Sequence, residues 1–284
     1  MDALLEDVPQ EAFQTMECPW GSAGRSITLG LVSGFAKLTL TLLNKFEVVN
    51  YEQFRQALDH RPKGTGLITI ANHVSMFDDP GIPSALTPWA RFWLDPWEDR
   101  VRWTLCAQEV CFKNEFLRQF FAAGKTLPVL RGEGVQQPIL RVAAWAAARG
   151  DWVHLFPEGK IQLDGKLGAF RWGVGKMVCD ARLAGGKDPI ILPMYHSGMS
   201  RVLPFKAFIF RVGHTITVRI GEPLDLSDIT CDCNKPGKDQ QRVWEAIALR
   251  MHAAMKELED QSPPNLSQRK LSKDQSSAGL DQSS

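Results

Sequence analysis

The sequence predicts an α/β domain, a mixed and mainly parallel sheet flanked by helices. Three observations predict it. Short apolar runs bounded by Gly and Pro alternate with longer helical patterns between residues 46 and 260. The polar residues best suited to chemistry follow directly after apolar runs, where α/β sheets place their functional loops. The composition is that of a globular chain, with 44% hydrophobic and 23% charged residues over 284 positions, long enough to bury a sizeable core.

The first 20 residues carry five acids, Asp2, Glu6, Asp7, Glu11 and Glu17, and no base. That is neither a secretory signal nor an Arg-rich transit peptide. Residues 26–44 carry one charge, Lys37. Ile27, Leu31, Phe35, Leu38 and Leu42 fall on one helical face; Ser26, Ser33, Lys37 and Asn44 fall on the other. The pattern is an amphipathic helix that either lies in a membrane plane or packs on the protein's own core.

Residues 46–50 read as a strand and 51–60 as a helix. Pro62, Gly64 and Gly66 break the chain before a buried strand at 67–71. A helix over 116–121 leads through Gly124 to a strand at 126–130. The Ala-rich run 135–149 reads as a helix closed by Gly150. A strand at 152–156, a helix over 171–183 and a strand at 190–194 follow. Residues 205–220 alternate enough for a hairpin or two strands, and 240–259 form a charged helix. From Gln261 onward the chain is polar and is expected to be disordered. The expected division is therefore an acidic segment 1–25, an amphipathic anchor 26–45, a domain 46–260 and a tail 261–284.

Formal net charge is +1, from 33 Lys and Arg against 32 Asp and Glu. It makes no case for nucleic-acid binding. It conceals a basic stretch over residues 160–220, which holds ten bases and three acids. That stretch is a solvated face or an attraction to anionic lipid. Cys18, Cys106, Cys111, Cys179, Cys231 and Cys233 lack metal-site spacing and are expected to be reduced thiols. Trp89, Trp93 and Trp97 recur every four residues, with Trp103 beyond and Pro96 between. They form either an aromatic core or an interfacial belt.

Four segments can carry chemistry. In Asn72-His73-Val74-Ser75-Met76-Phe77-Asp78-Asp79-Pro80, a His with a nearby carboxylate is the minimum set for general-base catalysis. Five residues on a helix turn through about 140° beyond a full revolution, so His73 and Asp78 meet only across a non-helical turn. Phe156-Pro157-Glu158-Gly159-Lys160 is a turn able to bind hydroxyl and phosphate. Arg131, flanked by Gly132, suits bidentate phosphate recognition. Pro189-Ile190-Ile191-Leu192-Pro193 is an apolar strand bracketed by prolines. His60, His154, His196, His214 and His252 show no paired ligand spacing, so no metal or other cofactor is expected.

These four segments, taken in chain order, resemble the glycerolipid acyltransferase family, with its His-x-x-x-x-Asp, Gly…Arg, Phe-Pro-Glu-Gly and apolar Pro blocks. Gly150-Asp151-Trp152-Val153-His154, Trp172-Gly173-Val174-Gly175, His196 and Gly198-Met199 extend the resemblance over residues 25–225. They bring it closest to the branch that exchanges acyl chains between phospholipid and lysophospholipid without acyl-CoA. The resemblance implies cardiolipin remodelling by a monotopic protein on mitochondrial membranes facing the intermembrane space. It implies phospholipid and lysophospholipid partners on an anionic, cardiolipin-rich surface, and it allows a homo-oligomer. His73 is implied as the base that activates the lysolipid hydroxyl and Asp78 as the residue that orients it. Arg131 and Lys160 would hold phosphate, Glu158 would position the acceptor, and amides near Gly159 would meet the oxyanion. Leu31, Phe35, Leu38, Leu42, Trp89 and Trp93 would face the membrane. Lys160 stands where the wider family often has a small residue followed by Arg, so its headgroup contacts need not be shared. Three rival readings stay open: an acyl-CoA-dependent lysophospholipid acyltransferase, a non-catalytic membrane-binding scaffold, and a metal-dependent phosphohydrolase using His73, Asp78 and Asp79.

Overall fold

A computed structural model describes residues 8–94 and 99–267. Its centre is a seven-stranded sheet of β1 (Lys45–Val49), β2 (Leu67–Ala71), β3 (Trp103–Ala107), β4 (Thr126–Val129), β5 (Trp152–Leu155), β6 (Ile190–Ser197) and β7 (Thr215–Ile220), in the order β1-β7-β6-β2-β5-β3-β4. Every neighbouring pair is parallel except β6 and β7. This is the expected mixed, mainly parallel sheet.

All five residues of β2 are buried. The strand lies inside the sheet with helices on both faces, which explains its uninterrupted apolar run. On one face the helices Pro138–Ala148, Gly173–Gly185 and Gln240–Asp260 bury Val142, Met177, Val178, Ile247 and Met251 against the sheet. On the other, Phe54, Leu58, Ile82, Leu86 and Met199 form a second core. The Asp239 side chain caps the last helix by accepting from Gln241 N at 3.1 Å.

Several expectations need correction. Trp103 opens β3 and is buried, so it belongs to the sheet rather than to an exposed belt. A helix runs over Asp78–Leu86, directly beyond the turn that the motif demanded. Residues 205–220 supply only one strand, β7, which lies between β1 and β6. Residues 205–214 form a largely exposed loop instead, because both edges of β7 are already taken. The thiols are also not all free: Cys106 is joined to Cys111, and Cys179 to Cys233, leaving Cys18 and Cys231 free. The second bridge ties the Gly173–Gly185 helix to a turn 54 residues further on, a proximity that only packing creates.

The amphipathic segment forms a helix over Gly21–Lys37 that continues as a π-helical turn, Leu38–Leu42. Its apolar stripe faces outward. Leu31 is 61% and Leu42 74% exposed, and Ile27, Phe35 and Leu38 are exposed with them. The opposite side, with Thr28, Leu29, Gly30, Ser33 and Ala36, is buried. Gly30 is required there, since a Cβ at that position would lie 2.2 Å from the Trp93 ring. Trp89 donates from Nε1 to Gly30 O at 2.9 Å and stays half exposed beside the stripe. Trp93 is packed under the helix rather than presented outward. Trp97 lies outside the described residues. Among the described residues, no helix is long and apolar enough to cross a membrane.

Candidate active site

The parallel strands β2, β5, β3 and β4 all end at one edge of the sheet. That edge is where α/β sheets bind ligands. His73 lies two residues beyond β2 and Glu158 three beyond β5.

The chain between His73 and Asp78 makes the non-helical turn that the spacing required. Asp78 Oδ2 accepts the backbone N–H of Val74 at 2.7 Å and of Ser75 at 2.8 Å. The same oxygen lies 3.0 Å from His73 Nδ1. With Nδ1 facing a carboxylate, the ring proton sits on Nδ1 and Nε2 keeps its lone pair. The His73 side chain is 21% exposed and that of Asp78 is fully buried. Phe156 stacks on the His73 ring at 4.2 Å and fixes its plane.

Two further locks hold this turn. Asn72 and His196 join the ends of β2 and β6. Asn72 Nδ2 donates to His196 O at 3.0 Å, and Asn72 Oδ1 accepts from His196 N at 2.8 Å. His196 Nε2 donates to Asn72 O at 2.7 Å, and burial pushes its pKa down, so the ring is neutral. Glu158 is the second lock. Its Oε1 accepts the His73 N–H and its Oε2 the Gly168 N–H, both at 2.8 Å. Burial raises its pKa to about 7 against the opposing pull of those two N–H groups.

The expected substrate contacts divide. Glu158 is 1% exposed and each of its oxygens already accepts a backbone N–H, so in this structure it holds the turn that carries His73. The Gly159 N–H donates to Phe156 O at 3.0 Å and is not available to an oxyanion. Lys160 is exposed beyond that turn, and the Arg171 side chain packs against Gly159. Arg131 follows β4 and pairs with Glu109 at 3.1 Å on the surface. Three strand spacings, about 14 Å, separate β4 from β2. Arg131 therefore shares the edge with His73 without joining its immediate cluster.

Asp79 turns away from His73 and forms a buried ion pair with Arg102. Burial pushes its pKa up more than any single neighbour lowers it, but the Arg102 charge and hydrogen bond, together with His154 and Thr104, outweigh burial and hold it low. Asp79 is thus apart from the His73–Asp78 pair that a phosphohydrolase would need it to join.

A His with its Nδ1 against a buried carboxylate, on a rigid turn at the carboxyl edge of a mainly parallel sheet, is geometry suited to acyl transfer. The family model described as "Acyltransferase" matches residues 45–197, more than half of the chain. The chain belongs to the acyltransferase family. Its relatives include the Drosophila melanogaster protein "Tafazzin", 36% identical over 79% of this chain and 57% of that one. The Dictyostelium discoideum protein "Taffazin" is 36% identical over 64% of this chain and 68% of the relative. "N-acylphosphatidylethanolamine synthase" of Arabidopsis thaliana is 34% identical over 65% and 62%. The chain thus spans somewhat over half the length of its Drosophila relative. The likeness to tafazzins bears out the family resemblance that the sequence motifs carried.

In this acyltransferase the sequence motifs contained Asn72, Phe156 and His196 beside His73, Asp78 and Glu158, but not the holding roles that the first three play. Phe156 stood inside a recognised motif without a role. Asn72 and His196 lie 124 positions apart, and only strand adjacency brings them together.

Proposed function

We propose that the chain is a phospholipid–lysophospholipid transacylase that needs no CoA and remodels cardiolipin. The observation that carries this reading is His73 Nδ1 held 3.0 Å from Asp78 Oδ2, which leaves Nε2 as a base at the sheet edge. Nε2 takes the proton of a lysolipid hydroxyl while that oxygen attacks the ester carbonyl of a donor phospholipid. The tetrahedral intermediate expels the donor's glycerol oxygen, which recovers the proton from the imidazolium. One ester is broken and one formed, so the exchange consumes neither thioester nor water. Lys160 and Arg171, both exposed beside Gly159, meet the lipid phosphate, with Arg131 further along the edge.

The outward stripe of the Gly21–Lys37 helix supports a monotopic placement. In this reading residues 26–45 anchor the chain, 46–260 catalyse and 261–284 trail. Two disulfides fit an oxidising compartment, consistent with mitochondrial membranes facing the intermembrane space. The test is transfer of a radiolabelled acyl chain from phosphatidylcholine to monolysocardiolipin, with and without acyl-CoA. Transfer without thioester is expected; strict thioester dependence would replace this reading with the acyl-CoA-dependent one. The plant relative's printed name favours a second acceptor, an amine in place of a hydroxyl. Supplying phosphatidylethanolamine in the same assay separates the two.

A further inference from the structure

We propose that the loop 203–212, between β6 and β7, is a second membrane-inserting element that seats the catalytic turn on an anionic bilayer. The inference rests on the membrane-surface part of the reading above.

The loop presents its apolar residues to the outside. Phe208 is 95%, Ile209 81% and Val212 60% exposed. Exposed side chains of this size in succession mark an interaction surface. The loop is built to stay in that position. Asn44, buried at the end of the amphipathic helix, donates from Nδ2 to Thr39 O at 2.8 Å and to Arg211 O at 3.1 Å. Its Oδ1 accepts the His214 N–H at 2.8 Å. Gly213 N donates to Leu43 O at 2.9 Å. Phe210 meets Phe35 of the outward stripe at 5.2 Å and Phe77 of the catalytic turn at 4.6 Å. The loop therefore continues the apolar surface of the helix.

Charge selects the occupant. Residues 198–214 include Arg201, Lys206 and Arg211, all exposed, and no Asp or Glu. Apolar residues flanked by bases suit an interface with anionic lipid, where each base contributes about 1 kcal/mol, or roughly fivefold in partition. The surface also leads to the site. Ser75 Oγ donates to Leu203 O at 2.8 Å. A groove of about 550 Å³ runs between exposed Met76 and Leu203, Ala207, Phe208 and Phe210. A bilayer meeting Phe208 therefore lies against the turn that carries His73.

The test uses the full chain with Cys18→Ser and Cys231→Ser, a unique Ile209→Cys, and an NBD label at that position. On phosphatidylcholine vesicles containing cardiolipin, NBD emission is expected to rise several-fold, shift to the blue and be quenched by lipid-borne spin labels. Without cardiolipin the response should be weaker. In an unlabelled chain, Phe208→Glu with Ile209→Glu should weaken partition at least about tenfold. Arg201→Gln, Lys206→Gln and Arg211→Gln together should remove the preference for cardiolipin. An unchanged NBD spectrum on vesicles that carry the protein would overturn the proposal. So would a vesicle-free dimer that Ile209→Asp dissociates, since the surface would then be covered by a second copy. The label reports insertion whether or not acyl groups move. A chain that inserts without transferring sinks only the transacylase reading; one that transfers with a solvated label sinks only this one.

Discussion

Glu158 accepts the backbone N–H of His73 at 2.8 Å. The contact spans 85 positions of sequence and fastens the turn after β5 to the turn after β2. Glu158, which the motif offers as a substrate ligand, thereby holds the His73 turn in register, and the consequences of that role can be separated from those of His73 itself.

His73→Ala should abolish acyl transfer while leaving the far-UV spectrum and melting temperature near those of the parent, because the His73 ring is partly exposed and on a loop. Asp78→Asn should cost about 10²–10⁴ in rate, since Asp78 Oδ2 serves His73, Val74 and Ser75 together. A purified His73→Ala chain with near-parental turnover would refute the mechanism.

Glu158→Gln keeps one acceptor and presents an NH₂ group to the second backbone N–H. Loss of one charge-assisted bond should lower kcat about ten- to hundredfold, with little change in KM. In the parent, rate should fall as pH drops through about 7, where Glu158 takes up its proton. Glu158→Gln should lose that contribution to the pH profile. A KM effect larger than the kcat effect would return Glu158 to the acceptor site.

Two buried groups act oppositely on stability. The pKa of Glu158 is raised to about 7, so the fold binds its proton more tightly than the unfolded chain does and gains stability as pH falls from 7 toward 4.5. The pKa of His154 is depressed to about 4, chiefly by burial, so its neutral form supports the fold above pH 6.5 and that support is lost as pH falls toward 4. Urea midpoints between pH 7 and 4.5 should therefore fall more steeply for Glu158→Gln than for the parent, and less steeply for His154→Gln. Parallel curves for all three would remove both assignments.

Gly30→Ala places a methyl group where the Trp93 ring lies and should cost about 1–3 kcal/mol of stability. A second change, Trp93→Phe, should recover part of that loss. An unchanged melting temperature in Gly30→Ala would show that the helix does not seat on Trp93 in solution.

Breaking the Cys179–Cys233 bridge with Cys233→Ser opens a loop with a sequence separation of 54 and should cost about 2–4 kcal/mol. Reductant should lower the parent's denaturant midpoint and leave that of a chain lacking both bridges unchanged. An equal response in the two chains would mean that the bridges do not form.

The motif order was legible because catalytic turns are local: His73, Ser75 and Asp78 lie within six consecutive residues, and their spacing already required a non-helical turn. The strands were legible because burial on both faces leaves long apolar runs, as in β2. β3 escaped detection because its Trp103 read as part of an aromatic cluster. The loop 205–214 passed for strand because alternating apolarity does not reveal whether a partner edge is free.

By itself the sequence determined the α/β class, the four ordered blocks and an apolar stripe on residues 26–44. Only the tertiary structure decided what each of these faces. Periodicity defines a face but not what covers it, so it took the packing of Gly30 on Trp93 to turn Leu31 and Leu42 outward. A carboxylate in a motif has two acceptor oxygens wherever it lies; the turn after β2 and the loop at Gly168 supplied the two N–H groups that make Glu158 a clasp. Disulfides depend on distance in space, and the fold alone brought Cys179 to Cys233.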